Sequence, residues 1–159
     1  RAFLEGSAPD AELEFISCEY HPVEAPDIQR CLRHLPALSP LVEELLAQYP
    51  DSPTGEYLLN FESGRIRLRR FFAEAMSALP RYPQDVNVWF LDGFAPDRNP
   101  EMWSGELMTT LARRSAADAT ACTFTSAGIV KEALRGAGFK VTRKPGFGTK
   151  RHMLVARNG

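Results

Sequence analysis

A chain of 159 residues, 44% hydrophobic and 25% charged, has the size and composition of one ordinary globular domain with its own core. The formal net charge of −1 excludes a uniformly basic nucleic-acid binder, and no uninterrupted apolar stretch approaches the ~20 residues needed to span a bilayer. Cys18, Cys31 and Cys122 are widely spaced without a Cys-x-x-Cys pair, which argues against a disulfide framework or a metal site and fits a reducing cytoplasm.

In chain order, Arg1 to Gly6 reads as the end of a helix, and because the first residue is Arg rather than Met the chain is expected to begin inside a longer one. Leu13 to Cys18 is a strand with Glu19 at its end. A carboxylate in that place holds ribose hydroxyls in nucleotide-binding sheets, and is otherwise an exposed loop residue. Pro26 to Leu35 has apolar residues at helical spacing behind a proline. A second helix follows, with Ser39 as N-cap, Pro40 in its first turn, and Leu41, Val42, Leu45 and Leu46 as a buried stripe. His34 has no second ligand at metal spacing and is read as structural.

Tyr57–Phe61 and Arg65–Phe72 flank Glu62-Ser63-Gly64, a hairpin signal. Ile66 and Leu68 alternate with Arg65, Arg67 and Arg69, and that arginine face reads as a charged edge strand or as an RNA contact. Ala73 to Pro80 turns into a short helix, which puts Glu74 at another carboxyl edge; a glutamate there also suits the helix dipole.

Val86-Asn87-Val88-Trp89-Phe90-Leu91 is a near-continuous apolar run, expected to be a central strand covered on both faces, and it empties into Asp92-Gly93-Phe94-Ala95-Pro96. Ligands in open α/β sheets bind beyond the carboxyl ends of the strands, so Asp92 is the leading candidate for chemistry, with capping of its own turn as the other reading. Met102 and Trp103 end the following loop, where Trp103 either stacks on a base or cofactor or pins the loop to the core. Ser104 caps a helix through Arg114, Ala119 to Thr125 is a strand, and Ser126 caps a helix to about Arg135 that Gly136 and Gly138 end. Phe139–Arg143 and His152–Ala156 make a closing hairpin. From Lys131 onward eight basic residues face a single acid, Glu132, which permits a local anion-binding face and also describes a solvated surface.

This alternation of strands and helices predicts an α/β fold with a parallel sheet, and the terminal hairpin makes the last strand antiparallel. Four blocks then carry a family resemblance: Phe90-Leu91-Asp92-Gly93-Phe94-Ala95-Pro96, Asn99-Pro100-Glu101-Met102-Trp103, Thr123-Phe124-Thr125-Ser126-Ala127-Gly128, and Gly146-Phe147-Gly148 with Lys150-Arg151. In that order they resemble the methyltransferase domain of the MnmC family of bifunctional tRNA-modifying enzymes, over nearly the whole chain. The resemblance implies a Rossmann-like fold, S-adenosylmethionine as cofactor, and methylation of the exocyclic amine of 5-aminomethyl-2-thiouridine at the tRNA wobble position. It implies that Glu19 holds the cofactor ribose and that Glu74 lies near the adenine, where this chain has Ala73-Glu74 in place of the family's Gly-Asp. Asp92 then lies between methyl donor and substrate amine, and Phe94 and Pro96 shape the apolar wall. Lys144, Lys150 and Arg151 hold tRNA phosphates, and Phe147 packs against a nucleoside.

The family's first strand and its glycine-rich cofactor turn have no counterpart before Leu13. Residues 1–159 are therefore expected to be a single, N-terminally incomplete methyltransferase domain whose first strand, between the strands ending at Cys18 and Leu91, comes from upstream of Arg1 or from another segment that fills the gap. Alone, this stretch is expected to bind the cofactor poorly. The family's FAD-dependent oxidase domain, where it follows, lies beyond Gly159. Two other functions stay open on the residues alone: a methyltransferase of the same fold acting on another amine, and a cofactor-free domain that serves as a binding module.

Overall fold

The computed structural model describes residues 2–82 and 85–159. They fall into two compact units, Arg1–Ala78 and Leu79–Gly159, each with its own sheet.

The first unit opens with α1 (Ala2–Gly6) and β1 (Leu13–Cys18), continues through α2 (Ala25–Leu32), a 3-10 turn at Pro36–Leu38 and α3 (Ser39–Leu46), and ends with β2 (Gly55–Phe61), β3 (Ile66–Phe72) and α4 (Ala75–Ala78). Its sheet has the order β1-β3-β2, with β1 parallel and β2 antiparallel to β3. The expected hairpin is present, and Glu62 and Ser63 enter its turn at φ 51° and 54° before Gly64 at 88°.

The sheet order corrects the reading of the arginines, because β3 is the central strand and not an edge. A central strand tolerates them because both neighbours present carboxylates. Arg69 sits 2.6 Å from Glu14 of β1 and 2.6 Å from Glu56 of β2, and Arg67 lies 2.8 Å from Glu12. The two carboxylates hold the Arg69 guanidinium in its charged form, raising its pKa. Arg70 stacks over Tyr49 and Phe72, its guanidinium carbon 5.5 Å and 4.9 Å from the ring centroids. Leu59, Phe71 and Ala78 form the buried centre of this unit.

Two details of the helices differ from expectation. Ser39 is the first residue of α3 rather than its cap, and α3 has no side-chain cap bond. Its leucine stripe is not buried either: Leu41 is exposed and Val42, Leu45 and Leu46 are partly covered, while Tyr49 behind them is buried and donates to the Val23 carbonyl at 2.6 Å. Gln48 uses the space the stripe leaves. Its amide accepts from the Asn60 N–H at 2.9 Å and donates to the Asn60 carbonyl at 3.1 Å, satisfying that residue's backbone on the outer edge of β2.

The second unit contains β4 (Val86–Phe90), a 3-10 turn at Pro100–Trp103, α5 (Gly105–Arg113), β5 (Ser115–Thr123), α6 (Gly128–Gly136), β6 (Phe139–Pro145) and β7 (His152–Asn158). Its sheet has the order β4-β5-β7-β6, parallel between β4 and β5 and antiparallel thereafter. β5 starts earlier than Ala119. Between the pairs Val86↔Ser115 and Val88↔Thr120 it bulges, and Asp118 takes up the bulge at φ 61°, a conformation Asp tolerates better than most residues.

α5 is capped as expected, the Ser104 hydroxyl accepting the Leu107 N–H at 3.2 Å, and it buries Leu107, Met108 and Leu111. α6 begins at Gly128 behind Ala127, so Ser126 is not its cap. Gly138 closes the turn after α6 at φ 100°. Val130, Leu134, Phe139, Leu154 and Ala156 complete the core of this unit.

β4 is not covered on both faces. It is the edge strand of its sheet; Trp89 is buried, stacked on Tyr82 and donating to the Ser115 hydroxyl at 2.8 Å, but Val88 is 50% and Phe90 67% exposed. In the first unit β1 is likewise an edge strand of its own sheet.

Candidate active site

In the first unit, parallel pairing of β1 with β3 brings two carboxylates to one sheet edge. Cys18 is opposite Phe71, so Glu19 leaves β1 where Ala73-Glu74 leaves β3. The ends are tied together by the Glu19 N–H donating to the Phe71 carbonyl at 2.9 Å and the Cys18 thiol donating to the Ala73 carbonyl at 3.0 Å. Burial, and then the neighbouring Glu19, push the Cys18 thiol up to about 11, so it remains a hydrogen-bond donor at neutral pH.

Both carboxylates are exposed. Glu19 also accepts the His21 N–H at 2.9 Å, which orients it, and the Glu74 carbonyl receives the Ser77 and Ala78 N–H groups at the start of α4. Two acceptor groups at the carboxyl edge of adjacent parallel strands have the acceptor chemistry for a ribose diol and an amino-substituted base.

In the second unit Asp92 follows β4 with Leu91 between them. The Leu91 N–H donates to the Cys122 carbonyl at 2.8 Å, carrying the sheet one residue further, and the chain then turns. Asp92 Oδ1 accepts the Gly93 N–H at 2.9 Å, so the side chain caps its own turn; among the described residues Oδ2 has no partner. The turn-capping reading of Asp92 is therefore seen in the structure, with one oxygen fixing the carboxylate.

Asp92 lines an open cleft of about 440 Å³ with Phe90, Leu91, Cys122, Phe124, Phe147, Lys150 and Met153. Apart from the carboxylate and the ammonium its walls are almost all apolar, the composition of a small-molecule site. The Lys150 ammonium lies 5.6 Å from the Phe124 ring centroid. Phe147, at the tip of the β6–β7 loop, is 94% exposed, and its exposure comes from the turn that carries it: Gly146 donates to the Arg151 carbonyl at 3.1 Å and Lys150 to the Phe147 carbonyl at 3.2 Å.

The structure thus joins Asp92, Phe147 and Lys150 at one cleft. Arg151 lines a second concavity, while Phe94, Pro96 and Lys144 line neither. Trp103 is corrected: it is 3% exposed and its indole donates to the Phe94 carbonyl at 2.9 Å, so it pins the loop and has no face to offer a base. Phe124, Cys122 and Met153 were missed as site residues. The available signal was positional, since Phe124 follows the last residue of β5 as Asp92 follows the end of β4, on neighbouring parallel strands. Among the described residues no helix is long and apolar enough to cross a membrane, and no group of three or more His, Cys, Asp and Glu side chains is placed to hold a metal.

Comparison with known proteins adds to this geometry. A family profile described as S-adenosyl-L-methionine-dependent methyltransferase matches residues 36–158. The protein named tRNA 5-methylaminomethyl-2-thiouridine biosynthesis bifunctional protein MnmC is 47% identical over 155 residues in Ectopseudomonas mendocina, covering 98% of this chain and 24% of that protein. The protein of the same name in Pseudomonas aeruginosa (strain UCBPP-PA14) is 49% identical over 152 residues, covering 96% of this chain and 23% of its own. The chain thus spans about a quarter of the length of these relatives. Among solved structures, MNMC2 from Aquifex aeolicus superposes with a TM-score of 0.65 at 19% identity, covering 98% of this chain and 56% of that one. At that identity the likeness speaks to the fold, a Rossmann-like α/β methyltransferase architecture.

Proposed function

The chain belongs to the S-adenosyl-L-methionine-dependent methyltransferase family, and from that premise we propose that it methylates the exocyclic amine of 5-aminomethyl-2-thiouridine at the wobble position of tRNA, giving the 5-methylaminomethyl product. The observation that carries this reading is Asp92, fixed by the Gly93 N–H through one oxygen and lining a cleft with aromatic walls and a lysine. The name of the relatives supports the choice of substrate.

S-adenosylmethionine, when bound, supplies an electrophilic methyl group on a sulfonium. The carboxylates of Glu19 and Glu74 fit its ribose hydroxyls and adenine amine, as the acceptor groups at the shared edge of β1 and β3. The substrate amine is nucleophilic only as the neutral base, so the protein has to align it and take up or relay its proton. Asp92 Oδ2 would orient the amine by accepting its N–H and would receive the proton released as the C–N bond forms and the methyl–sulfur bond breaks, its electron pair returning to sulfur. Phe90, Phe124 and Met153 form the apolar wall beside the amine, and Phe147 packs against the nucleoside. Lys144, Lys150 and Arg151 meet tRNA phosphates, with Phe94 and Pro96 shaping the loop beyond Asp92.

Residues 1–159 are proposed to work as part of one methyltransferase domain in the cytoplasm, a compartment supported by the free thiols of Cys18, Cys31 and Cys122. Among the described residues the outer edges of β1 and β4 have no strand partner, which supports a further strand that carries the cofactor's glycine-rich turn.

Methyl transfer by the full-length protein to tRNA bearing the aminomethyl nucleoside tests the reading. Asp92→Asn should lower kcat by about 10²- to 10⁴-fold with tRNA affinity unchanged. Activity within threefold of the unaltered protein would overturn the role given to Asp92. Absence of any methyl transfer to that tRNA would overturn the substrate.

A further inference from the structure

The Asp92 cleft adjoins a second concavity, and the two share Phe124 and Lys150. The second, about 370 Å³, is lined by Ala95, Thr125, Ser126, Ala127, Arg151 and His152 as well as by the shared pair. Its chemistry is the reverse of its neighbour's: no acid lines it, and it is rich in donors.

Lys150 and Arg151 form no ion pair among the described residues. Thr125 Oγ1 accepts the Ala127 N–H at 3.2 Å, which leaves the Thr125 O–H to donate outward, and the Ser126 hydroxyl has no partner among the described residues. Ala127 precedes α6 without a side-chain cap, so the first-turn N–H groups of that helix carry no protein acceptor at their end. A lysine, an arginine and two hydroxyl residues lining one concavity without a carboxylate make an environment for a phosphate.

We propose that this second concavity holds the backbone phosphate flanking the target nucleotide, while the base of that nucleotide lies in the Asp92 cleft. The inference rests on the functional reading above and refines it: the recognised unit is a nucleotide, not a nucleoside. The two concavities are matched in charge to such a unit, an amine against the Asp92 carboxylate at one end and a phosphodiester against Lys150 and Arg151 at the other. The Phe124 ring stands where the two meet, with Lys150 above it.

The test uses the full-length protein and anticodon stem–loop RNAs that carry the aminomethyl nucleoside. In each RNA a neutral methylphosphonate replaces the phosphate 5′ to the target, the phosphate 3′ to it, or one in the distal stem. Both equilibrium binding and methyl transfer are read. One flanking replacement is expected to weaken binding about tenfold to a hundredfold, the loss of a charge-assisted hydrogen-bonded contact, with the distal replacement within threefold.

Arg151→Gln should weaken binding of the unaltered RNA by a similar factor and become insensitive to the same flanking replacement, and Arg151→Lys should restore most of the sensitivity. Inorganic phosphate at millimolar concentration should not compete, because the contact gains from its tether to the base. The proposal is overturned if neither flanking replacement moves binding more than twofold, if Arg151→Gln stays as sensitive as the unaltered protein, or if inorganic phosphate alone displaces the RNA. Phosphate-dependent binding without methyl transfer would leave the pocket standing and remove the functional reading; methyl transfer indifferent to both flanking phosphates would do the reverse.

Discussion

Gly146→Ala is the sharpest perturbation of the β6–β7 loop, because the clash it creates is with backbone. A Cβ at Gly146 would stand 2.2 Å from the Lys150 carbonyl oxygen, 2.7 Å from its carbon and 2.9 Å from the Lys150 Cβ. Carbon and oxygen normally approach no closer than about 3.3 Å, so the loop has to open by about 1 Å. That movement stretches the Gly146–Arg151 and Lys150–Phe147 hydrogen bonds, which are 3.1 and 3.2 Å long. Because the loop is exposed, water replaces much of what is lost, and the stability cost should be about 1–2 kcal/mol. Function should suffer more than stability. Phe147 and Lys150 both line the Asp92 cleft, and a displacement of about 1 Å of groups that position a substrate is worth on the order of 10²-fold in rate. Urea unfolding and kcat/KM for methyl transfer, measured on the full-length protein, separate the two effects. Gly148→Ala is the control: its φ is 61° with open space where a Cβ would go, so it should cost about 1–2 kcal/mol through backbone conformation alone. A Gly146→Ala protein with an unchanged urea midpoint and kcat/KM within threefold of the parent would refute the loop geometry.

Ser104→Ala removes the acceptor of the Leu107 N–H and should destabilise the protein by about 1 kcal/mol in urea unfolding; a change under about 0.3 kcal/mol would mean that the cap is not formed in solution. The thiols should differ in reactivity, Cys31 being exposed while burial raises the pKa of Cys18 and of Cys122, so alkylation at pH 8 followed by mass mapping should mark Cys31 first, and equal rates at Cys18 would contradict its burial. The same shift has a definite sign in stability: folded Cys18 keeps its proton to about pH 11 where an unfolded thiol releases it near 9.0, so stability falls as pH rises through that window, and Cys18→Ala should flatten that limb of the curve.

Most element positions were legible because their signals are local. The strand Leu13–Cys18 and the hairpin around Glu62-Ser63-Gly64 come from alternation and turn chemistry within a few residues. The cap at Ser104 is equally local. The early start of β5 was not legible, because Ser115-Ala116-Ala117-Asp118 has neither β-branched residues nor alternation. It is a strand through tertiary context, where Asn158 donates to the Ala116 carbonyl at 3.1 Å and Asp118 absorbs the bulge. Ser126 resembles Ser104 as a cap on paper. Thr125 uses its hydroxyl on the Ala127 N–H instead, and the helix starts later.

Two strands show where sequence pattern stops carrying spatial information. Alternating arginines in β3 suggested an edge because charge usually needs solvent; the Glu residues that make a centre possible lie at Glu14 and Glu56, separated from Arg69 by 55 and 13 residues, and no periodicity joins them. The apolar run of β4 suggested two covered faces, yet Phe90 faces the Asp92 cleft and Val88 lies open, so the run marks a surface meant to meet something other than this sheet. The same reasoning accounts for the site. Asp92 was legible because a carboxylate directly after an apolar strand is a one-dimensional signal. Phe124, Lys150 and Arg151 join it only through the parallel pairing of β4 with β5 and the return of β7 beside β5, which turn three distant stretches into two adjoining concavities of opposite chemistry.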